Sequence, residues 1–259
     1  YSVEFAEHRA YVAGDDLRHI DWRLFGRQDR LYIKQYEEES NLAAHLLLDA
    51  SASMAYGRDG RTKLDYACEL AAVLAWLILD QQDDVGLLTF DAAPRTHIPA
   101  TGGPAQMSAL LAALAQTGPA APTDLRTPLH RLAVELRRRG LVVLVSDLFA
   151  PPDELLDGLA HVRHAGHELV VFHVLDEDEW RFPFEALTRF EGLEESAHLL
   201  ADPQALRRSY LAALERFTTR VRTTCLGLRA DYVPVSTAVP LDVVLTGYLG
   251  GRRRPGGRR

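Results

Sequence analysis

Three short stretches of the chain are apolar with almost no polar alternation: Leu46-Leu47-Leu48, Leu141 to Val145, and Leu169 to Leu175, which only His173 interrupts. Each is of strand length, and such runs predict strands buried on both faces of a sheet. An acid closes each of them, Asp49, Asp147 after Ser146, and Asp176. Asp84 to Asp91 predicts a further strand, with Arg95 to Pro99 as its hairpin partner. Between the strands the apolar period lengthens to that of helices. Thr62 to Gln82 places Leu64, Ala67, Cys68, Ala71, Ala75 and Ile78 on one face, widened by Leu70, Val73, Leu74 and Leu77. Gly102 to Gln116, Thr123 to Arg139 (ended by Gly140), Pro151 to His164, Asp202 to Leu226 and Pro240 to Leu249 predict the other helices. Ala230 to Val235 contains Pro234, which cannot donate to a ladder, so it predicts an edge strand. Alternating β and α segments predict an α/β fold with a doubly wound, mostly parallel central sheet flanked by helices.

The ends of the chain differ from this body. Residues 1 to about 29 lack sustained periodicity; Gly14 predicts a turn, and Asp15 or Asp16 caps a short helix holding Leu17, Ile20 and Trp22. Tyr11, Ile20 and Trp22 are expected to pin this arm to the body. Arg30 to Glu39 alternates as a strand exposed on one side. Thus residues 1–40 predict an N-terminal arm and edge strand packed on a main domain of residues 41–250. Within the latter, about 178–200 is a small rim insertion holding a hairpin. Residues 251–259 are Gly- and Arg-rich and predict a disordered basic tail.

Composition narrows the function classes. The 259 residues are 47% apolar and 25% charged, ordinary for a globular chain. No apolar run reaches the roughly 18–20 residues of a membrane span, and no basic-then-apolar leader follows Tyr1, so the expected location is cytoplasmic. Cys68 and Cys225 are the two cysteines, far apart in apolar contexts, and are expected as buried reduced thiols. Net charge is −7, and setting aside the five arginines of residues 252–259 leaves −12 for the rest. An acidic body argues against nucleic-acid binding.

The candidate chemistry begins at Asp49-Ala50-Ser51-Ala52-Ser53, where a buried strand meets a loop. The carboxyl edge of an open α/β sheet is where ligands bind. One carboxylate and two hydroxyls leaving one strand end are hard oxygen donors suited to Mg²⁺. Thr123, the expected N-cap of its helix, and Asp147 supply the same chemistry from two other places. The series Asp49, Ser51, Ser53, Thr123 and Asp147 resembles the metal-ion-dependent adhesion site of von Willebrand factor A domains. Taken singly, each of these residues reads more simply as a turn or cap former; together they point to a metal site.

A wider resemblance rests on Gly14-Asp15-Asp16-Leu17-Arg18-His19-Ile20-Asp21-Trp22, Asp49 to Met54, Asp84 to Phe90, and Pro240 to Leu249. These segments resemble the bacterial "domain of unknown function 58" family, which is von Willebrand factor A-like. The resemblance implies a non-enzymatic, divalent-cation-dependent protein-interaction module that works with a MoxR-type AAA+ ATPase in assembling or activating other proteins. Mg²⁺ is the expected ion, with Mn²⁺ or Ca²⁺ as substitutes, and the expected partner offers a carboxylate to it. A metal-independent scaffold with a vestigial site is the alternative. A Mg²⁺-dependent hydrolase has less support: Ser51 stands where a D-x-D phosphotransferase needs its second acid, and no G-x-S-x-G occurs. No P-loop occurs either, so ATP-driven work would fall to a partner.

Overall fold

The computed structural model describes residues 3–12, 15–16, 20–28, 30–38, 42–58, 60–120, 122–136, 139–193 and 198–252. Gly14 and Leu17, expected to turn and to build the arm's helix, lie outside the described residues, as does the basic tail from residue 253. The chain divides into two units, Tyr1–Asn41 and Leu42–Arg259.

The first unit is a two-stranded antiparallel sheet of β1 (Val3–Ala10) and β2 (Tyr32–Glu38), with α1 (Trp22–Gln28) between them in sequence. The strand expected over Arg30 to Glu39 in the N-terminal arm is β2, and it pairs with β1, a strand that periodicity did not signal. The helix expected over Leu17 and Ile20 falls mostly on residues outside the described ones. Asp21 caps α1, because its Oδ1 accepts from the amides of Arg23 and Leu24 at 2.9 and 3.1 Å. Asp15 instead takes the Arg9 guanidinium and the Val12 amide. Ile20 bridges to Ile33 and both are buried, whereas Trp22, expected as an anchor, is 63% exposed.

The second unit begins with β3 (Ala43–Asp49), a 3₁₀ turn at Ala52–Ala55, the short pair β4 (Gly57–Arg58) and β5 (Arg61–Thr62), and α2 (Lys63–Asp80). There follow β6 (Asp84–Phe90), β7 (Pro94–Thr101), α3 (Pro104–Ala115), α4 (Arg126–Glu135), β8 (Leu141–Ser146), α5 (Pro152–His164), β9 (Glu168–Leu175) and α6 (Glu177–Arg181). The hairpin β10 (Thr188–Glu191) and β11 (His198–Ala201), then α7 (Pro203–Gly227), β12 (Asp231–Ser236) and α8 (Leu241–Arg252), complete it. The six-stranded sheet has the order β12-β9-β8-β3-β6-β7, parallel throughout except for β7 at one edge. The Pro234 strand forms the opposite edge, where a missing amide does least harm.

Side chains of the central strands alternate between two apolar layers. Leu46 and Leu48 join Val143, Val145 and Phe172 on the face covered by Tyr66, Ala67, Leu70 and Leu74 of α2. Leu47 joins Val142, Leu144 and Val171 on the face covered by Leu129 of α4, Leu155 and Leu159 of α5, and Val221 and Cys225 of α7. Full burial of each such side chain is worth roughly 1.5–3 kcal/mol, so β3, with all three leucines inaccessible, is a rigid platform for whatever its carboxyl end carries. Cys68 and Cys225 are both free thiols.

Two local expectations change. Thr123 does not cap α4. The helix starts at Arg126, and the Asp124 carboxylate accepts from the amides of Arg126 and Thr127. Gly140 is not a helix end: α4 closes at Glu135, and a Cβ at Gly140 would lie 2.4 Å from the Ala43 carbonyl oxygen. Glycine is required there because β8 enters the sheet tight against β3.

Candidate metal centre

The candidate donors gather at the carboxyl edge of the sheet, over adjacent strands β3 and β8. Asp49 ends β3 and is inaccessible to solvent. Its Oδ1 accepts from the Ser51 amide at 2.9 Å, and its Oδ2 accepts from the Ser146 hydroxyl at 2.5 Å. Turning the chain this way starts the 3₁₀ turn and sets Ser51 Oγ 3.1 Å from Ser53 Oγ. Thr123 arrives from elsewhere in the chain. Backbone bonds from Ala120 to the Ala50 carbonyl and from Asp124 to the Asp91 carbonyl tie its loop to the ends of β3 and β6. Its Oγ1 then stands 3.5 Å from Ser53 Oγ.

Asp147 follows β8 on a different set of bonds. Its Oδ2 lies 2.7 Å from the ammonium of Lys63, which also reaches Glu179 Oε1 at 2.8 Å. Lys63 and Asp147 side chains are each only 2% exposed. The Asp147 Oδ1 accepts from the Phe149 amide, and its carbonyl accepts from Nε2 of His173, whose Nδ1 meets the Tyr232 hydroxyl at 2.7 Å. Burial pushes His173 down to about 4, so the ring is neutral and donates through Nε2 to that carbonyl. Next to Asp147, Leu148 adopts φ +57°, a left-handed conformation unfavourable for a branched side chain. Its full burial and its amide bond to Ser146 Oγ hold it there. One serine hydroxyl, Ser146, therefore links the loop after β8 to Asp49.

Lys63 is the residue that sequence reasoning missed. It is the first residue of α2, placed by a reciprocal cap in which Thr62 Oγ1 accepts from the Asp65 amide and the Asp65 carboxylate accepts from the Thr62 amide. A cation in a helix's first turn opposes the helix dipole, and that mismatch was a readable signal. Burial works against the Lys63 ammonium, but Asp147 and Glu179 outweigh it and hold its pKa above the usual lysine value. Glu179 is fixed from both ends, since its Oε2 accepts from the Asp176 amide in the cap of α6. Asp176, the third strand-ending acid, caps α6 and accepts from the Thr237 hydroxyl.

The two acids thus differ in charge balance. Burial, reinforced by the nearby Asp147, pushes Asp49 up to about 7 despite bonds from Ser146 and Ser51. No cationic side chain among the described residues pairs with it. Among the described residues no group of three or more His, Cys, Asp or Glu is arranged to hold a metal; this cluster carries two carboxylates and relies on hydroxyls. Adjacent ligands of an octahedral Mg²⁺ with bonds of 2.0–2.1 Å are about 3.0 Å apart. The Ser51–Ser53 and Ser53–Thr123 separations of 3.1 and 3.5 Å match that edge to within a small side-chain rotation. The donor set fits a hard dication, with Asp147 Oδ2 already committed to Lys63.

No helix among the described residues is long and apolar enough to cross a membrane. In sequence, the chain is 28% identical to the uncharacterized protein Rv1480 of Mycobacterium tuberculosis, over 97% of this chain and 80% of that one. In structure, it is similar to an aerotolerance-related membrane protein of Bacteroides fragilis, with a TM-score of 0.55 at 16% identity over 83% of this chain and all of that one. It is also similar to the conserved hypothetical protein BatB of Bacteroides thetaiotaomicron, with a TM-score of 0.53 at 14% identity over 82% of this chain and 98% of that one. At such identities the likeness is one of fold, the six-stranded, mostly parallel sheet flanked by helices. The profile described as "Protein of unknown function DUF58" matches residues 7–220, and the chain belongs to that family.

Proposed function

We propose that the protein is a non-enzymatic interaction module whose strand-edge cluster holds a divalent cation, Mg²⁺ foremost. The observation that carries this reading is the spacing of the three hydroxyls, from Ser51, Ser53 and Thr123, beside a buried carboxylate that pairs with no cationic side chain among the described residues. Asp49 would hold the Ser51 backbone and lend its charge to the ion; the three hydroxyls would ligate it. Asp147, with one oxygen on Lys63, would act through solvent. When bound, the ion would supply a Lewis-acidic position for a carboxylate oxygen from a partner protein. Neutral hydroxyls leave the ion much of its charge, so an incoming Asp or Glu is attracted more strongly than by a surface ion pair's roughly 0–1 kcal/mol. The family resemblance adds a MoxR-type AAA+ ATPase as the companion that supplies ATP-driven work.

Mg²⁺ titration of chelator-treated protein tests the cation directly. Saturating Mg²⁺ is expected to raise the unfolding free energy by about 2–3 kcal/mol, and Ser51→Ala and Thr123→Ala should each remove most of that gain. Affinity purification with and without EDTA then tests capture: Asp49→Ala and Ser51→Ala should lose the partner while staying folded. An unchanged catch by a folded Ser51→Ala protein would overturn the reading.

A second reading has one specific observation behind it. The Lys63 ammonium already sits at 2.7 Å from Asp147, where it supplies positive charge without a metal. A scaffold that works without a metal would show neither heat nor stabilisation on adding Mg²⁺ or Mn²⁺, and its capture of partner would survive EDTA.

A further inference from the structure

Lys63 is the only lysine or arginine buried among the described side chains. Its position is unfavourable on two counts: the ammonium gives up its water, and it opposes the dipole of the helix that it starts. What it does there is occupy acids. Asp147 Oδ2 lies 2.7 Å from the ammonium and Glu179 Oε1 lies 2.8 Å from it. The other Asp147 oxygen accepts from the Phe149 amide at 3.2 Å, so both oxygens of that carboxylate are engaged. Yet Asp147 stands next to the hydroxyl cluster, close enough for its charge to disfavour ionised Asp49.

The two acids that hold Lys63 are not equivalent. The Asp147 side chain is 2% exposed and that of Glu179 is 25% exposed. Glu179 is also fixed independently of Lys63, by the Asp176 amide. Lys63, Asp147, Glu179 and Ser53 border one cavity of about 460 Å³, which gives the lysine side chain room to move. The ammonium can therefore remain on Glu179 while Asp147 turns away from it.

From this geometry we propose that Lys63 is a tethered competitor at the cation site: it holds Asp147 Oδ2 and so withholds that carboxylate from direct ligation. The inference rests on the cation reading and adds to it the residue that limits affinity. With Asp147 withheld, the hydroxyls carry the ligation, and a hard dication keeps more of its charge for the carboxylate of a partner. A fixed ammonium also repels a nearby dication directly. The two effects are separable: repulsion acts whatever residue occupies position 147, whereas competition needs the Asp147 carboxylate.

Calorimetric titration of chelator-treated, full-length protein with Mg²⁺ tests this as a double-mutant cycle. Lys63→Met is expected to tighten Mg²⁺ binding about tenfold, because a carboxylate oxygen is released to the ion. In the Asp147→Asn protein the same replacement should tighten it less than about threefold. Lys63→Met also lowers stability, so a milder pair of variants reads the same coupling. Glu179→Gln leaves Lys63 with Asp147 as its one acid and should weaken Mg²⁺ binding about threefold. That weakening should vanish in the Asp147→Asn protein. A folded Lys63→Met protein with unchanged or weaker Mg²⁺ binding would overturn the proposal. So would a gain from Lys63→Met, or a loss from Glu179→Gln, that is the same with and without the Asp147 carboxylate. Ser51→Ala keeps the two readings apart. If that variant loses the Mg²⁺ heat but the cycle shows no coupling, the inference fails alone. If Mg²⁺ gives no heat with any of these proteins, the cation reading fails with it.

Discussion

Asp49 and Asp147 end neighbouring parallel strands and lie at the same edge of the same sheet, yet the fold treats them in opposite ways. Asp147 is answered by a full positive charge: Lys63 reaches it from the first turn of α2 and reaches Glu179 as well. Among the described residues Asp49 is answered by dipoles alone, from Ser51 and the Ser146 hydroxyl, and burial raises its pKa to about 7. The contrast shows how one strand edge can hold a finished ion pair and an electrostatic vacancy next to each other. The finished pair anchors the loop after β8. The proposed dication would balance the charge of Asp49 beside the hydroxyl cluster.

The strongest way to break the contrast is to remove its charged half. Lys63→Met leaves Asp147 and Glu179 buried without a cation, and breaking a buried pair of this kind costs about 3–5 kcal/mol. Denaturant unfolding should show that loss in chelator. A loss below about 1 kcal/mol would mean that the two acids simply take up protons and that the pair does not anchor the loop.

The next test reads the other half through pH. The folded-state pKa of Asp49 lies above the free value of 3.8, so the fold favours its protonated form. Its contribution is therefore largest below about pH 4 and is lost as pH rises through about 7. His173 works with the opposite sign. Its pKa is lowered to about 4, so its contribution is present above about 6.5 and lost as pH falls through about 4. The difference between unmodified protein and Asp49→Asn isolates the aspartate. In chelator, that difference in unfolding free energy should change by about 2–4 kcal/mol between pH 5 and pH 8. A pH-independent difference would show that Asp49 is not strained by its burial.

The smallest expected effect sharpens the link between the halves. Ser146→Ala removes the hydroxyl that donates to Asp49 and accepts from the Leu148 amide. A loss of about 1–3 kcal/mol is expected, since two buried groups are left without a partner. The Asp49 titration should also move to higher pH. Loss of stability with no movement of that titration would assign Ser146 to holding the loop alone.

Much of the architecture was legible before any coordinates, and for a physical reason. A strand buried on both faces has no choice but to be apolar throughout, so β3, β8 and β9 announce themselves, and the intervening helices carry their own period. The arm was harder. The partner of β1 lies across α1 in sequence, and its residues alternate too weakly to be read alone. The start of α4 was misplaced because Thr123 and Asp124 both have capping chemistry, and only the chain's path shows that Asp124 does the capping.

The cluster divides along the same line. Asp49, Ser51 and Ser53 are neighbours in sequence at a strand end, and local geometry suffices to bring them together. Thr123 joins them through backbone bonds to Ala50 and Asp91, and Lys63 and Glu179 meet Asp147 across α2, β8 and α6; no local rule specifies either arrangement. The sequence by itself determined the layered α/β fold and the oxygen-rich strand edge, because hydrophobic period and strand-end chemistry are local properties. Only the tertiary structure decided that one acid would be neutralised by a lysine and the other left to hydroxyls, because the energy of a buried charge depends on what the rest of the chain packs around it.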